Sequence, residues 1–173
     1  MDNLNFVSAE IFISLSIMFL LILGVFKKNS SNIVHNLSVG FLFITVALIL
    51  NNPYQENIKL FGESYIIDYL SSFMKILTIL GGAFVLLISS RYLKLLKIFQ
   101  MEYSILILCS ILGMMVMISS NDLMVFYVGL ELQSLALYVL ASFNRDQLNL
   151  LKLVLNILCL VLYHLVYYYM VVH

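Results

Sequence analysis

The stretch LMVFYVGLELQSLALYVLAS, residues 123–142, is long and apolar enough to cross a bilayer, yet it holds a carboxylate, Glu131, near its middle. A spanning helix needs about 20 mainly apolar residues, and at its centre a charged carboxylate costs about 3 kcal/mol on insertion scales. The neighbours at helical spacing suggest why an acid is tolerated there. Tyr127, Ser134, Tyr138 and Ser142 stand at i−4, i+3, i+7 and i+11 from Glu131, all on one helix face. Such a stripe is expected to face other helices or trapped water, because lipid leaves each hydroxyl without a partner. Burial favours the neutral acid and an approaching cation favours the carboxylate, so the group is placed to take up and release a proton. The alternative from the residues alone is a neutral, hydrogen-bonded glutamic acid that locks helix packing.

Working outward, the whole chain reads as lipid-embedded. Its 173 residues are 63% hydrophobic and 10% charged, with one proline and no tryptophan, and its mean hydropathy is +1.06; soluble domains carry about 25% charge. Six apolar runs, 11–26, 37–50, 73–88, 103–118, 123–141 and 150–172, are separated by short polar breaks. None alternates as a transmembrane barrel strand does. The expected fold is all-α and polytopic: a bundle of five spans over residues 1–149, followed by an apolar segment, 150–173, that holds a sixth run. Zero formal net charge speaks against a nucleic-acid partner. Glu10 precedes the first run where a cleavable signal would carry a base, so that run is expected to be the first span.

Loop charges set the expected orientation. Lys27 and Lys28 lie in the first connection, Arg91, Lys94 and Lys97 in the third, and Arg145 and Lys152 around the fifth. The second connection sets Lys59 against Glu56, Glu63 and Asp68, and the fourth holds Asp122. The positive-inside rule then puts the odd connections in the cytoplasm or matrix and the N-terminus on the periplasmic or intermembrane-space side. The longest connection, 51–72, has room for a short hairpin or an interfacial helix.

Other polar residues have two readings each. Lys75, in SSFMKILTILGGAF, is either an anchor that snorkels to the interface or a participant in charge transfer. Glu10 and Glu102 open spans, where a carboxylate suits a helix N-terminus, and Asn121 or Ser120 suits the cap of the fifth helix. Gly81, Gly82 and the methionines of GMMVM fit close or adaptable helix packing. Cys109 and Cys159 read as inert buried thiols, and His164 has no partner at ligand spacing, so no metal is expected. No phosphate loop, nucleophile elbow or haem or iron–sulfur pattern is present.

The continuous stretch EYSILILCSILGMMVMISSNDLMVFYVGLELQSLALYVLASFNRD, residues 102–146, resembles subunit 2 (chain N in bacteria) of the proton-pumping NADH:ubiquinone oxidoreductases, respiratory complex I. Looser similarity runs upstream through SAEIFI and FMKILTILGGAFVLL, covering about residues 6–149. The resemblance implies the N-terminal part of an antiporter-like membrane-arm subunit, in which a glutamate on the fifth helix couples to lysines on later helices. Glu131 occupies that glutamate's position. It also implies that NADH, FMN, iron–sulfur clusters and ubiquinone are handled elsewhere in the complex, that this chain binds no cofactor, and that its partners are lipid and other membrane-arm subunits. A subunit of a multisubunit cation/proton antiporter, or a structural half completed by a separately encoded C-terminal half, are the alternatives. Scarcity of proline and a taste for Asn, Ile and Lys lean toward an AT-rich organellar genome, and so toward a mitochondrial inner membrane rather than a bacterial plasma membrane.

After Asn149 the family-like pattern stops at LLKLVLNILCLVLYHLVYYYMVVH. Codons for this tail exist that, with one T restored after the Asn149 codon, encode a family-like continuation. Residues 150–173 are therefore read either as a sixth helix or as an out-of-frame tail. An uninterrupted frame through His173 in genomic DNA and transcript, with no family-like continuation in another frame, defeats the second reading.

Overall fold

The computed structural model describes residues 7–26, 31–51, 58–95 and 101–141. Five helices and one hairpin occur there: α1 (Ser8–Phe26), α2 (Ser31–Asn51), β1 (Ile58–Leu60), β2 (Tyr65–Ile67), α3 (Tyr69–Leu95), α4 (Met101–Ile118) and α5 (Leu123–Ala141). All five helices contain a window long and apolar enough to cross a membrane. The fifth run begins and ends where the sequence pattern put it. The second and third helices start earlier than their apolar runs, because a hydropathy ruler measures contact with hydrocarbon while the hydrogen-bonded ladder continues into polar turns. His35, in that early part of α2, is buried and shares a 3.2 Å hydrogen bond with Ser104 of α4.

The first four helices carry their core residues at roughly helical spacing, as in Ala9, Ile13, Ile17 and Leu20 of α1, while α5 buries few apolar side chains, Ala136 among them. α4 is central. It packs against all four other helices and buries a wide stripe that includes Ile105, Leu108, Ile111 and Met115. The outward positions are also apolar, among them Phe19, Phe43, Leu77 and Phe84. Apolar outside as well as inside is the pattern of a bundle in lipid, where van der Waals fit rather than exclusion of water holds helices together.

The 51–72 connection contains the hairpin. β1 and β2 pair antiparallel, with Leu60 opposite Tyr65. Phe61, Gly62 and Glu63 turn the chain with φ of 52°, 67° and 74°, and of the three only glycine adopts that region without steric cost. The free edge of β2 is pinned to the α4–α5 link: Ile66 N–H donates to Ser119 O at 2.8 Å, and Asn121 N–H donates to Ser64 O at 2.9 Å. Asn121 Nδ2 donates to Glu63 O at 2.8 Å. Asn121 and Ser120 therefore do not cap α5. Ser120 Oγ donates back to Met117 O, and Asp122 takes the capping position, its Oδ1 accepting from Met124 N–H at 3.3 Å.

Successive helices alternate in direction, so the starts of α1, α3 and α5 share the hairpin end of the bundle. Lys27, Lys28, Lys97, Arg145, Lys152, Ser142, Cys159, His164 and the 150–173 segment lie outside the described residues, as do the side chains of Arg91 and Lys94.

Candidate functional site

Glu131 stands near the middle of α5, and what fixes α5 is a seam of bare backbone. A Cβ on Gly113 would lie 2.7 Å from Gln133 N and 2.8 Å from Gly129 O; one on Gly129 would lie 2.8 Å from Met117 N. Any side chain there forces the two helices apart, which is the role small residues play in close membrane packing. Gly82 is similarly covered by Ile111, whereas Gly81 faces open space. Of the glycines expected to mark close contacts, Gly82 does and Gly81 does not.

Gly129 and Gln133 point to α4, and Glu131 lies two residues from each. At 100° per residue that turns it about 160° away from the α4 contact. It is nevertheless 9% exposed, and its Oε2 is buried with no hydrogen-bond partner among the described residues. The phenol of Tyr127, one turn earlier, interacts with the carboxyl. Tyr127, Ser134 and Tyr138 are half-buried, and the Ser134 hydroxyl donates to the backbone oxygen of Glu131 at 3.0 Å. The stripe's hydroxyl at 134 thus meets its hydrogen-bonding need within its own helix.

Lys75 does not snorkel. It is 3% exposed, and its Nζ makes an ion pair with Glu10 Oε1 of α1, itself 6% exposed. Tyr65 of β2 completes the cluster: its hydroxyl donates to the same Glu10 oxygen at 2.7 Å and accepts from Lys75 Nζ at 3.2 Å. The ammonium also lies 5.2 Å from the centre of the Tyr65 ring. Glu10 Oε2 is left buried without a hydrogen-bond partner among the described residues. Burial, and then the nearby Glu10 charge, push the Tyr65 phenol far above its ordinary range. Glu10 thus does more than favour a helix N-terminus. Lys75 and Glu131, the two site candidates from sequence, are not brought together. Tyr65 was not singled out by sequence reasoning; a signal for the cluster exists in topology, since α1 and α3 begin at the same end and a buried lysine there calls for an acid.

Five antiparallel-connected apolar helices, with a buried Glu10–Lys75 ion pair between α1 and α3, define an integral membrane helix bundle. The comparisons carry this further. The chain is 79% identical over 149 residues to NADH-quinone oxidoreductase subunit N of Pelagibacter ubique, a match covering 86% of this chain and 32% of that protein. It is 43% identical over 141 residues to subunit N of Bartonella bacilliformis (81% of this chain, 28% of that protein) and 39% identical over 149 residues to that of Maricaulis maris (85% and 31%). Over the matched residues the chain is a homologue of NADH-quinone oxidoreductase subunit N, and it spans about a third of the length of these relatives. A chain of respiratory complex I from Thermus thermophilus, solved with bound aureothin, shares the fold with a TM-score of 0.67 at 22% identity, over 86% of this chain and 31% of that one. No family model matches the chain.

Proposed function

We propose that the chain serves as a membrane-arm segment of a complex I-type NADH:quinone oxidoreductase and contributes to proton translocation driven by NADH oxidation and quinone reduction. The observation that carries this reading is 79% identity to a subunit N over 149 residues, which also weighs against a stand-alone antiporter subunit. In this reading electrons do not pass through the chain: its sequence offers no nucleotide loop or cluster-ligating cysteine pattern, and redox chemistry falls to other subunits. Glu131 is the coupling acid. A buried carboxyl with one bare oxygen, set in an apolar helix, changes its proton occupancy when a cation approaches or leaves, and so transmits charge across the membrane arm. Its partners are other membrane-arm subunits. The relatives quoted are bacterial, which favours a bacterial plasma membrane over the mitochondrial one suggested by composition, with the N-terminus periplasmic.

The test is Glu131→Gln in the intact complex, with NADH oxidation and proton translocation measured in sealed vesicles. Loss of translocation with assembly retained supports coupling; pumping at the wild-type rate and stoichiometry returns Glu131 to a packing role. Failure of the chain to copurify with a quinone reductase sinks the wider reading.

A further inference from the structure

Three titratable side chains from three separate elements meet beneath the hairpin: Glu10 from α1, Tyr65 from β2 and Lys75 from α3. A buried ion pair is on average no more stabilising than an apolar pair of the same volume, so packing alone gives no reason for one here. Two features are superfluous to a strut. Glu10 Oε2 is buried, aimed at no donor among the described residues, and is thus a vacant proton acceptor. The third group comes from a hairpin outside the bundle, whose ring and hydroxyl lie against the ion pair.

We propose that Glu10, Lys75 and Tyr65 form a second proton-exchange site, separate from Glu131, loaded from the hairpin end of the bundle and closed over by Tyr65. With Tyr65 withdrawn, a hydronium ion gives its proton to Glu10 Oε2: one O–H bond forms on the carboxylate, one breaks on the hydronium, and water is left. No electron moves. The carboxyl becomes neutral, Lys75 keeps its charge, and the site gains one positive charge; release runs the same step backwards.

Asp68 marks the way in. It immediately precedes α3, its backbone N–H donating to Ser71 Oγ at 2.9 Å, and its Oδ1 is buried without a hydrogen-bond partner among the described residues. At this end of the bundle α1 contributes Glu10, β2 Tyr65, the residue before α3 Asp68, and α3 Lys75 with the exposed Tyr69; the hairpin adds Lys59 and Glu63, paired with each other at 3.0 Å, and α5 is preceded by Asp122, which caps it. α2 and α4 contribute Thr45, Ile49, Met115 and Ser119, none of which titrates. The cover is also tied to the other acid. β2 is hydrogen-bonded to Ser119 and Ser64 to Asn121, just ahead of the helix that carries Glu131, so displacement of α5 at its start moves Tyr65.

The site's protonation stands by itself, while its part in pumping rests on the membrane-arm reading. The first measurement is infrared spectroscopy of the full chain in liposomes of phosphatidylethanolamine and phosphatidylglycerol during acidification. The expected result is a protonated-carboxyl band that is absent in Glu10→Gln and that changes at least twofold in amplitude at fixed pH in Tyr65→Phe, which keeps the ring. No such band, or an identical band in Tyr65→Phe, overturns the proposal. The second uses the assembled complex in sealed vesicles: Tyr65→Phe is expected to lower protons moved per NADH oxidised at least twofold. An unchanged ratio overturns the pumping role, and so does wild-type pumping by a Glu10→Gln/Lys75→Met double variant, which makes the pair a strut. If the chain fails to assemble with an NADH-oxidising complex, the wider reading falls while the infrared result still decides the site.

Discussion

Replacing Lys75 by methionine removes the ammonium but keeps most of the side chain's length and apolar volume. Glu10 is then left buried, with the Tyr65 hydroxyl as its remaining donor in the cluster. Breaking a buried pair by deleting one partner costs about 3–5 kcal/mol, because the other charge stays desolvated and unpaired. At about 1.4 kcal/mol per tenfold, that lowers the folded-to-unfolded ratio by a factor on the order of a hundred to several thousand. The double variant Glu10→Gln/Lys75→Met carries no charge, and a neutral amide beside an apolar chain is expected to recover all but about 1–2 kcal/mol of the loss. Reversible denaturant unfolding of the full chain in mixed micelles, followed by helical circular dichroism, measures all three proteins. A single variant as stable as wild type would mean that the pair is not sequestered in solution. A double variant no better than the single one would mean that the damage comes from packing rather than from an orphaned charge, and would refute the electrostatic argument.

At the α4–α5 seam, Gly129→Val places a branched side chain 2.8 Å from Met117 N and is expected to cost more than about 2 kcal/mol, whereas Gly81→Ala enters open space and stabilises α3 by up to about 1 kcal/mol; the same unfolding assay separates them. Asn121→Ala removes the 2.8 Å bond to Glu63 O, and hydrogen exchange at 64–67 is expected to quicken by a factor of about 5–10, corresponding to about 1 kcal/mol. Tyr65, with its phenol held above its ordinary range by burial and by Glu10, is expected to stay neutral after exposed tyrosines ionise. Because the folded value exceeds the unfolded one, this residue's contribution is intact below pH about 10 and is lost as pH rises beyond it, which a spectroscopic phenolate titration of wild type against Tyr65→Phe reads directly.

The bundle was legible because lipid imposes one rule along the whole chain: runs near 20 apolar residues must be helices, and 123–141 obeyed it to the residue. The hairpin was only half legible. Gly62 signals a turn, but nothing local says that β2 will borrow its outer hydrogen bonds from Ser119 and Asn121, more than fifty residues on. Neither Asn121 nor Ser120 caps α5, for the same reason: the Asn121 amide bonds a distant carbonyl, and Asp122 next to it does the capping. Lys75 looked near enough to water to reach it, since hydropathy counts distance along one helix and is blind to a hairpin folded over the end. Glu131 was legible as an isolated acid in an apolar run, whereas which way it points depended on two glycines whose partners are set by tertiary contact.

Those two glycines make the α4–α5 crossing a fulcrum. Where one helix meets another backbone to backbone, a tilt of the first about that contact sweeps its tips while the segment at the contact hardly travels. Glu131 lies about 3 Å along the axis from Gly129, close to that still point. The acid therefore keeps its depth while the helix around it tilts, and what changes during such a motion is the company it keeps rather than its place in the bilayer.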